Sequence, residues 1–377
     1  MARVPEPFPL ISVSGPPRER GRQYGRMAAD RIRHSARLYL GRLHRDIPSD
    51  DEIQGLVDRL VPQARAFSAE YIDEMHGIAE GADIPFAHVF IINARTELLS
   101  LARRLATRGD TDGCTGAVIL PGRSRNGRLI HGQNWDWLAE CVETAVVLRV
   151  AGHNDTAELM TFTEAGGLGR SGLNSAGIAI TANYLESDRD YKQDGVPLAL
   201  IRRKVLEQRH AALAIRVIAT TPKCCSNNMM LSQAEGLAID FECAPDETFQ
   251  IFPERDLIVH ANHWQSAIAL TKLKDTGIGD VPDSLYRDWR VRRHLESIAG
   301  GIGMDDLKAA FFDGFGQPYS VCRPRNQAKH DRLSATVAMV VMEPASGFIE
   351  IAPMPAENRQ FTRYSFSETK ALQVATA

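Results

Sequence analysis

The sequence predicts an α+β protein in which a helical N-terminal part precedes a larger part built mainly of short strands. Two observations lead to this fold class. The first 105 or so residues carry apolar side chains at helical spacing. After Cys114, short apolar runs are separated by Gly, Asn and Asp turns, and helical patterns occur only in separate blocks. This segregation favours layered α+β architecture over a doubly wound sheet, in which strands and helices alternate.

The N-terminal part divides into a proline-rich start and a series of helices. Residues 1–15 contain Pro5, Pro7 and Pro9, which predicts a loop or an edge strand. Ser49 is a suitable N-cap for the second helix, which could break at Pro62. The predicted helices cover Gly21–Arg45, the stretch from Ser49 through Ala64, Phe67–Gly81 and Phe86–Ala106. The polar segment Arg108–Asp112 then predicts a turn.

Strand patterns dominate the remainder of the chain. The Gly300–Gly303 segment is interpreted as a flexible loop, and the residues after the last strand as an irregular tail. Two helices are predicted, at Pro197–Ala219 and Leu285–Ile298. Strands are predicted at Ala145–Val150, Glu158–Phe162, Gly177–Asn183, Met229–Leu231, Leu237–Phe241, Phe249–Phe252, Leu257–Ala261, Thr336–Met342 and Phe348–Ile351.

Composition narrows the functional classes. The chain has 377 residues, 44% hydrophobic and 24% charged, which is ordinary for a globular protein with a sizeable core. A net charge of -3 gives no broad footprint for nucleic acid or an anionic membrane. No apolar run reaches signal-peptide or membrane-spanning length, and six cysteines are too sparse for a disulfide framework. We therefore expect a cytoplasmic protein without nucleic-acid or membrane partners.

The stretch around Cys114 predicts an antiparallel hairpin. The strand-like runs Thr115–Leu120 and Leu129–Trp135 flank a segment with Pro-Gly and Asn-Gly pairs, which are strong turn signals. A turn centred near Arg125 would place Cys114 opposite Asp136, whereas a turn at Asn126-Gly127 would shift the pairing by about three residues.

Cys114 directly follows Gly113, so it could be an internal nucleophile or a latent chain terminus. Cysteine is a strong nucleophile once it has lost its proton. If the Gly113-Cys114 bond were cut, the new α-amino group, with a reference pKa of about 7.7 to 8.0, could act as the base. Gly113 suits such a cut because glycine tolerates strained backbone and lets the sulfur approach the preceding carbonyl.

Several motifs in fixed order give these residues a family context. The chain resembles the isopenicillin N acyltransferase family, that is, acyl-coenzyme A:6-aminopenicillanic-acid acyltransferase-like proteins, which are self-cleaving N-terminal-nucleophile hydrolases. The motifs that carry the resemblance are Gly21-Arg22-Gln23-Tyr24-Gly25, Glu74 to Gly81, Asn93-Ala94-Arg95-Thr96-Glu97, Asp112-Gly113-Cys114-Thr115, Gly132-Gln133-Asn134-Trp135-Asp136, His260-Ala261-Asn262-His263 and Pro318 to Arg323.

The resemblance implies a four-layer αββα sandwich and a defined set of roles. An N-to-S acyl shift would cut the chain into a helical segment, 1–113, and a β-rich segment, 114–377, that remain one folded body as a self-derived α/β heterodimer. Cys114 would attack the acyl carbonyl of a small N-acyl substrate and form a thioester. Asn262 would stabilise the oxyanion, Asp136 would orient the new amine, and Arg323 would lie beside the nucleophile. Asp110 and Asp112 could assist cleavage or belong to a solvated loop.

One reaction is favoured, and three alternatives to it remain open. With water as acceptor the enzyme is an amide hydrolase, which we favour because water is always present. With an amine as acceptor it is an acyltransferase, with acyl-coenzyme A as a conceivable donor. The chain could instead be a binding or scaffold protein that kept the fold, or a cysteine amidase that stays whole and uses His131 or His263 as base.

No metal or cofactor is predicted. His260 and His263 are three residues apart on a strand-like segment, which would point them to opposite faces. Cys224 and Cys225 are adjacent but lack a second pair at ligand spacing. The glycine-rich segment 166–169 lacks the context of a phosphate-binding loop, so we expect a turn or a substrate-lining segment there.

Overall fold

The computed structural model describes residues 5–106, 113–327, 333–367 and 372–374. Most of the helices precede Cys114. The N-terminal helices are α1 (Pro17–Met27), α2 (Ala29–Asp46), α3 (Asp50–Phe67), α4 (Ala69–Ala82), α5 (Phe86–Asn93) and α6 (Arg95–Ala106). The later helices are α7 (Leu198–Leu206), α8 (Ala211–Thr220), α9 (Ala267–Lys272), α10 (Ser284–Glu296) and α11 (Met304–Phe311).

The strands of the described ranges form two sheets. The first sheet has the order β1-β4-β5-β6-β7-β8-β9-β10, and the second has the order β11-β2-β3-β13-β14-β15-β16 with β12 beside β13. The strands are β1 (Leu10–Val13), β2 (Gly113–Ile119), β3 (Ile130–Leu138), β4 (Ala145–Val150), β5 (Leu159–Glu164), β6 (Ser171–Asn174), β7 (Ile178–Tyr184), β8 (Asn227–Gln233), β9 (Leu237–Cys243), β10 (Thr248–Ile251), β11 (Leu257–His260), β12 (Asn326–Gln327), β13 (Leu333–Glu343), β14 (Phe348–Pro353), β15 (Phe361–Ser365) and β16 (Leu372–Val374).

The two sheets pack face to face, and helices cover their outer faces. Between the sheets, the ring nitrogens of His131 on β3 hydrogen-bond the hydroxyls of Thr181 on β7 and Ser232 on β8, each at 2.8 Å. Helices α7 and α8 lie on the first sheet, and α10 and α11 lie on the second, where Leu295 and Phe311 pack against its apolar side chains. The predicted α+β class and αββα layer order are confirmed.

Glycines bring α1 and α4 into backbone contact, which explains two of the sequence motifs. A Cβ on Gly21 would lie 2.2 Å from the Glu74 carbonyl oxygen, and one on Gly77 would lie 2.1 Å from that of Arg18. A Cβ on Gly25 or Gly81 would also lie too close to the facing helix, at 2.5 and 2.4 Å from its backbone oxygens. No larger residue fits at these positions without separating the helices. The motifs therefore hold the helical segment together rather than line a site.

Several predicted elements differ in the structure. The predicted helices Gly21–Arg45, Phe86–Ala106 and Pro197–Ala219 are each two helices, because one or a few non-helical residues break the run without disturbing its apolar spacing. Pro62 lies inside an unbroken α3, for which Ser49 is the N-cap as predicted. The tail after residue 351 is not irregular but contains β15 and β16. Arg108–Asp112, including Asp110 and Asp112, lies outside the described residues.

The Gly300–Gly303 segment, predicted to be a flexible loop, is fixed in place. Ile302 is fully buried, and its backbone exchanges hydrogen bonds with Arg123 and Arg125 in the turn between β2 and β3, each at 2.9 Å. A Cβ on Gly301 would lie 2.4 Å from the Cα of Arg125. The glycines therefore permit close packing against the turn, which the sequence alone could not distinguish from flexibility.

Candidate active site

Strands β2 and β3 form the predicted hairpin, with a register that differs by one residue from the prediction. Cys114 pairs with Trp135, and Gly113 pairs with Asp136. Because paired residues share a face of the sheet, Asp136 projects on the side of Gly113 and Cys114 on the other side. The Asp136 carboxylate therefore lies beside the backbone of the Gly113-Cys114 bond rather than beside the thiol.

Cys114 is buried, and each of its polar groups has a neighbour. Its backbone N-H donates to Asn262 Oδ1 at 2.8 Å, and its carbonyl oxygen accepts from Arg287 Nη1 at 2.7 Å. Its Sγ lies 4.0 Å from Nη2 of Arg170, whose guanidinium stacks over the Trp135 ring at 4.0 Å. A positive charge at that distance stabilises a thiolate relative to a thiol.

Asn262 reaches Cys114 because β11, which pairs with β2, ends at His260, two residues before Asn262. Its Oδ1 accepts hydrogen bonds from Cys114 and from Arg287 Nη2, the latter at 2.9 Å. Its Nδ2 donates to the Tyr184 carbonyl at 3.0 Å, and its backbone N-H donates to Ser284 Oγ at 2.7 Å. The Nδ2 group carries two hydrogens, so one bond to Tyr184 leaves a second hydrogen for an oxyanion.

Asp136 and Arg323 form a buried ion pair on the other side of the hairpin. Arg323 Nε lies 3.0 Å from Asp136 Oδ2, at an angle outside hydrogen-bond geometry, and Arg323 also pairs with Asp283. Thr336 Oγ1 donates to Asp136 Oδ1 at 2.6 Å. Burial raises the pKa of Asp136, while the charges of Arg323 and Arg287 oppose the rise.

Gly113 lies against this ion pair. A Cβ there would meet Asp136 Oδ2 at 2.8 Å and Arg323 Cζ at 3.1 Å. Glycine is therefore needed for steric reasons, since a side chain would displace the carboxylate. This steric reason adds to the conformational reason suggested by the sequence.

Sequence reasoning missed Arg287, Asp283 and Arg170. Arg287 is fully buried at the start of α10 and donates to Cys114, Thr115 Oγ1 and Asn262, while its Nε pairs with Asp283 at 2.7 Å. In the sequence, an Asp and an Arg four apart on a helix look like an exposed surface pair. Arg170 follows the glycine-rich turn 166–169, a signal that was available but pointed only to a turn.

The histidines of the sequence analysis have other partners. Both ring nitrogens of His131 bond to hydroxyl groups, and burial lowers its pKa to about 3. His263 Nδ1 bonds to Ser284 Oγ at 2.7 Å, and burial also lowers its pKa to about 3. The prediction that His260 and His263 point to opposite faces is wrong, because β11 ends at His260 and the two rings stack with centroids 6.1 Å apart.

The His260 ring is held by acidic side chains. Its Nε2 bonds to Glu242 Oε1 at 2.8 Å. Burial by itself would lower its pKa, but Asp240 and Glu242 raise the pKa to about 9. The His260-Glu242 pair holds the C-terminal end of β11 in place, and Asn262 lies two residues after that end.

Comparison with known proteins finds a matching family model, a related sequence and, more weakly, similar solved structures. The family model described as acyl-coenzyme A:6-aminopenicillanic acid acyl-transferase matches residues 123–353. The "acyl-coenzyme A:6-aminopenicillanic-acid-acyltransferase 40 kDa form" of Emericella nidulans is 27% identical over 328 residues, covering 85% of each chain.

Solved structures show weaker similarity. A mutant of conjugated bile acid hydrolase from Clostridium perfringens has a TM-score of 0.49 at 10% identity, covering 70% of this chain and 97% of that one. Penicillin V acylase from Agrobacterium tumefaciens has a TM-score of 0.45 at 16% identity, covering 68% of this chain and 87% of that one. Within the described ranges, no helix is both long and apolar enough to cross a membrane.

Proposed function

The chain belongs to the acyl-coenzyme A:6-aminopenicillanic acid acyl-transferase family, and from this premise we propose that it cuts its own Gly113-Cys114 bond and then uses Cys114 to cleave a small N-acyl amide. It is an enzyme of amide cleavage or acyl transfer that acts on an acyl substrate. The cut, the identity of the catalytic residues and the choice of acceptor are the proposal.

The observation that carries the proposal is the environment of the Gly113-Cys114 bond. On one side the Cys114 N-H is held by Asn262 Oδ1 at 2.8 Å, and on the other side Gly113 packs on the Asp136-Arg323 pair. An α-amino group at Cys114 would thus be formed between an amide oxygen and a carboxylate. Both of these groups stabilise the protonated form of the amine. A buried structural cysteine would not need this set of contacts.

Self-cleavage requires one rearrangement and one hydrolysis. Cys114 Sγ attacks the Gly113 carbonyl carbon, the peptide C-N bond breaks, and the thiol proton ends on the Cys114 nitrogen. Water then hydrolyses the resulting thioester to the Gly113 carboxylate and a free thiol. Arg170 near Sγ supports the thiolate, and Arg287 holds the Cys114 carbonyl in place. The products are chains of 113 and, by 377 minus 113, 264 residues.

In the mature enzyme the Cys114 amine would take the thiol proton and return it to the leaving amine. Asn262 Nδ2 would donate to the oxyanion of the tetrahedral intermediate, a contact that is worth about 2.7 to 4 kcal/mol in comparable sites. Asp136, oriented by Thr336 and balanced by Arg323, would align the amine. The thioester at Cys114 is then attacked by the acceptor.

The acceptor decides between the two reactions. We favour water, and hence hydrolysis. The name of the Emericella nidulans relative supports the second candidate, transfer of an acyl group from acyl-coenzyme A to an amine. Two incubations separate them: an N-acyl compound in water, and acyl-coenzyme A with an amine, with product formation measured in each. Faster turnover in the second would replace hydrolysis with transfer.

Both chains are proposed to stay in one folded body in the cytoplasm. Tyr71 on α4 bonds Glu207 at 2.6 Å, and Glu74 pairs with Arg203 on α7, so buried contacts bridge the cut. The six cysteines, all within the described ranges, form no disulfide bond, which is the state that a reducing compartment maintains.

The test is the intact mass of the purified, denatured protein beside a Cys114→Ala control. Two chains ending at Gly113 and beginning at Cys114 are expected for the wild type, and one chain for the variant. Hydrolytic activity from a single intact wild-type chain that is lost in a His131→Gln or His263→Gln variant would favour the histidine-base alternative. An intact, inactive wild type that matches the Cys114→Ala variant in every assay would favour the scaffold alternative.

A further inference from the structure

Three buried groups that the Cys114 chemistry does not use come together between the helical segment and the first sheet. Glu97 lies on α6, and Cys224 and Cys225 lie in the segment before β8. Their ligand atoms, one carboxylate oxygen and two Sγ atoms, are all within 4.8 Å of one another. The sequence predicts no metal site here, because Cys224 and Cys225 lack a second pair at ligand spacing. The fold supplies a third ligand from α6.

The Glu97 carboxylate is the unusual member of this cluster. Its side chain is 1% exposed. Its Oε1 accepts the backbone N-H of Leu198 at 2.7 Å, at the start of α7, but its Oε2 has no hydrogen-bond partner. A buried carboxylate oxygen without a partner is unfavourable, and native structures rarely keep one without a water or an ion nearby.

We propose that Glu97, Cys224 and Cys225 bind a divalent cation with affinity for thiolates, of which Zn²⁺ is the representative. Zinc takes cysteine sulfur at about 2.3 Å and carboxylate oxygen at about 2.0 to 2.2 Å in tetrahedral geometry. That geometry needs an Sγ to Sγ distance of about 3.8 Å, and the ligand atoms of the cluster lie within 4.8 Å of one another. On binding, each thiol releases its proton to solvent.

The charges and the space around the cluster fit this ion. Two thiolates and one carboxylate carry three negative charges. Zn²⁺ would balance two of them, and the buried guanidinium of Arg202, which is close enough to interact with Glu97, would balance the third. A cavity of about 30 Å³ is lined by Glu97, Cys224 and Tyr191 among others. This volume is sufficient for one water molecule, which can be the fourth ligand.

The proposed ion would link parts of the chain on either side of the cut. The Tyr191 backbone N-H donates to the Cys224 carbonyl at 2.6 Å, which anchors the cysteine pair to the loop after β7. Glu97 lies on α6, which precedes Cys114 in the chain. If the proposed cleavage occurs, the ion would join the two products. That consequence rests on the proposed function, but binding of the ion does not.

The experiment uses the full chain carrying Cys114→Ala, so that neither the nucleophile nor a new terminal amine can bind metal. The reduced, metal-free protein is dialysed against Zn²⁺, and bound zinc per chain is measured by mass spectrometry. The same is done after adding Cys224→Ser with Cys225→Ser, Glu97→Gln, or Cys243→Ser. Cys243 is the matched control because it is also a fully buried cysteine, with its Sγ 3.6 Å from the Phe241 carbonyl. Circular dichroism reports whether each variant folds.

One zinc per chain is expected for the parent and for Cys243→Ser. The double serine variant should bind none, and Glu97→Gln should bind at least tenfold more weakly. Substoichiometric zinc in the parent, or full binding by the double variant, would overturn the proposal. Unchanged affinity in Glu97→Gln would remove Glu97 from the ligand set and overturn the three-ligand site.

If the double variant does not fold, Co²⁺ added to the parent decides the question without that substitution. A thiolate-to-Co²⁺ charge-transfer band that saturates at one equivalent is expected, and its absence would overturn the site. Because all these samples are uncut, the result is independent of whether the wild-type chain cleaves itself.

Discussion

The amide of Asn262 offers the sharpest test of the proposed chemistry, since its two ends have different partners. Oδ1 accepts from Cys114 and Arg287, and Nδ2 donates to Tyr184 and is the proposed oxyanion donor. The Asn262→Asp variant keeps the acceptor and the size of the side chain but removes the donor. The Asn262→Ala variant removes both.

The two variants should differ in stability and agree in catalysis. In the Ala variant, three buried partners lose a hydrogen bond, at about 1 to 3 kcal/mol for each group left unsatisfied. In the Asp variant Cys114 and Arg287 keep their acceptor, while the Tyr184 carbonyl loses its donor and faces a carboxylate oxygen, so the loss of stability should be smaller than in the Ala variant. In both, the missing oxyanion donor should lower kcat by about 10²- to 10³-fold.

The assay measures kcat per cut chain, with the cut fraction taken from intact mass and stability from urea unfolding. Asn174→Asp is the matched control, because Asn174 is also fully buried and bonded to backbone at both ends of its amide, away from Cys114. It should lose stability and keep kcat within a few fold. An Asn262→Asp variant that is cut and turns over within a few fold of the wild type would refute the oxyanion role.

Two further predictions follow from the packing. Gly113→Ala should slow self-cleavage at least tenfold, because its Cβ would lie 2.8 Å from Asp136 Oδ2. Gly116→Ala on the same strand is the control and should not slow cleavage, because its Cβ would have its nearest contact at 3.4 Å. Intact mass measured at timed intervals gives both cleavage rates, and equal rates would contradict the prediction. Burial lowers the pKa of His131 to about 3 from 6.5. The folded state therefore keeps this ring neutral, whereas the unfolded state takes up a proton on the ring as pH falls below 6.5. The contribution of the neutral ring to the free energy of unfolding is lost over that range. Between pH 7.5 and 5 the wild type should lose about 2 kcal/mol more than His131→Gln in urea unfolding. An equal loss in both would show that the ring titrates normally.

The sequence anticipated the layers of the fold better than the boundaries of its elements. Apolar spacing and turn residues are local properties, so they located most strands and the helical N-terminal part. They could not show the break at Ala28 between α1 and α2, which leaves the apolar spacing intact. Short α9 and α11 and the late β15 were missed, since such elements are stabilised mainly by tertiary packing.

The structure brings together Cys114, Asp136, Asn262 and Arg323, the residues selected from the sequence, and their roles remain predictions. The sequence identified them because they stand in ordered family motifs. Arg287 has no such marker: its importance comes from its complete burial and its contacts with Cys114 and Asn262, which depend on how α10 packs on the second sheet.

By itself, then, the sequence determined the α+β class, the hairpin that carries Cys114, and the chemistry that a thiol next to a glycine could perform. Tertiary structure decided which groups surround that thiol. The pairing of Gly113 with Asp136 set the carboxylate beside the peptide bond rather than beside the sulfur. The meeting of Glu97 with Cys224 and Cys225 was decided in the same way. The physical reason is that both arrangements depend on strand register and helix packing between distant parts of the chain, which local patterns do not encode.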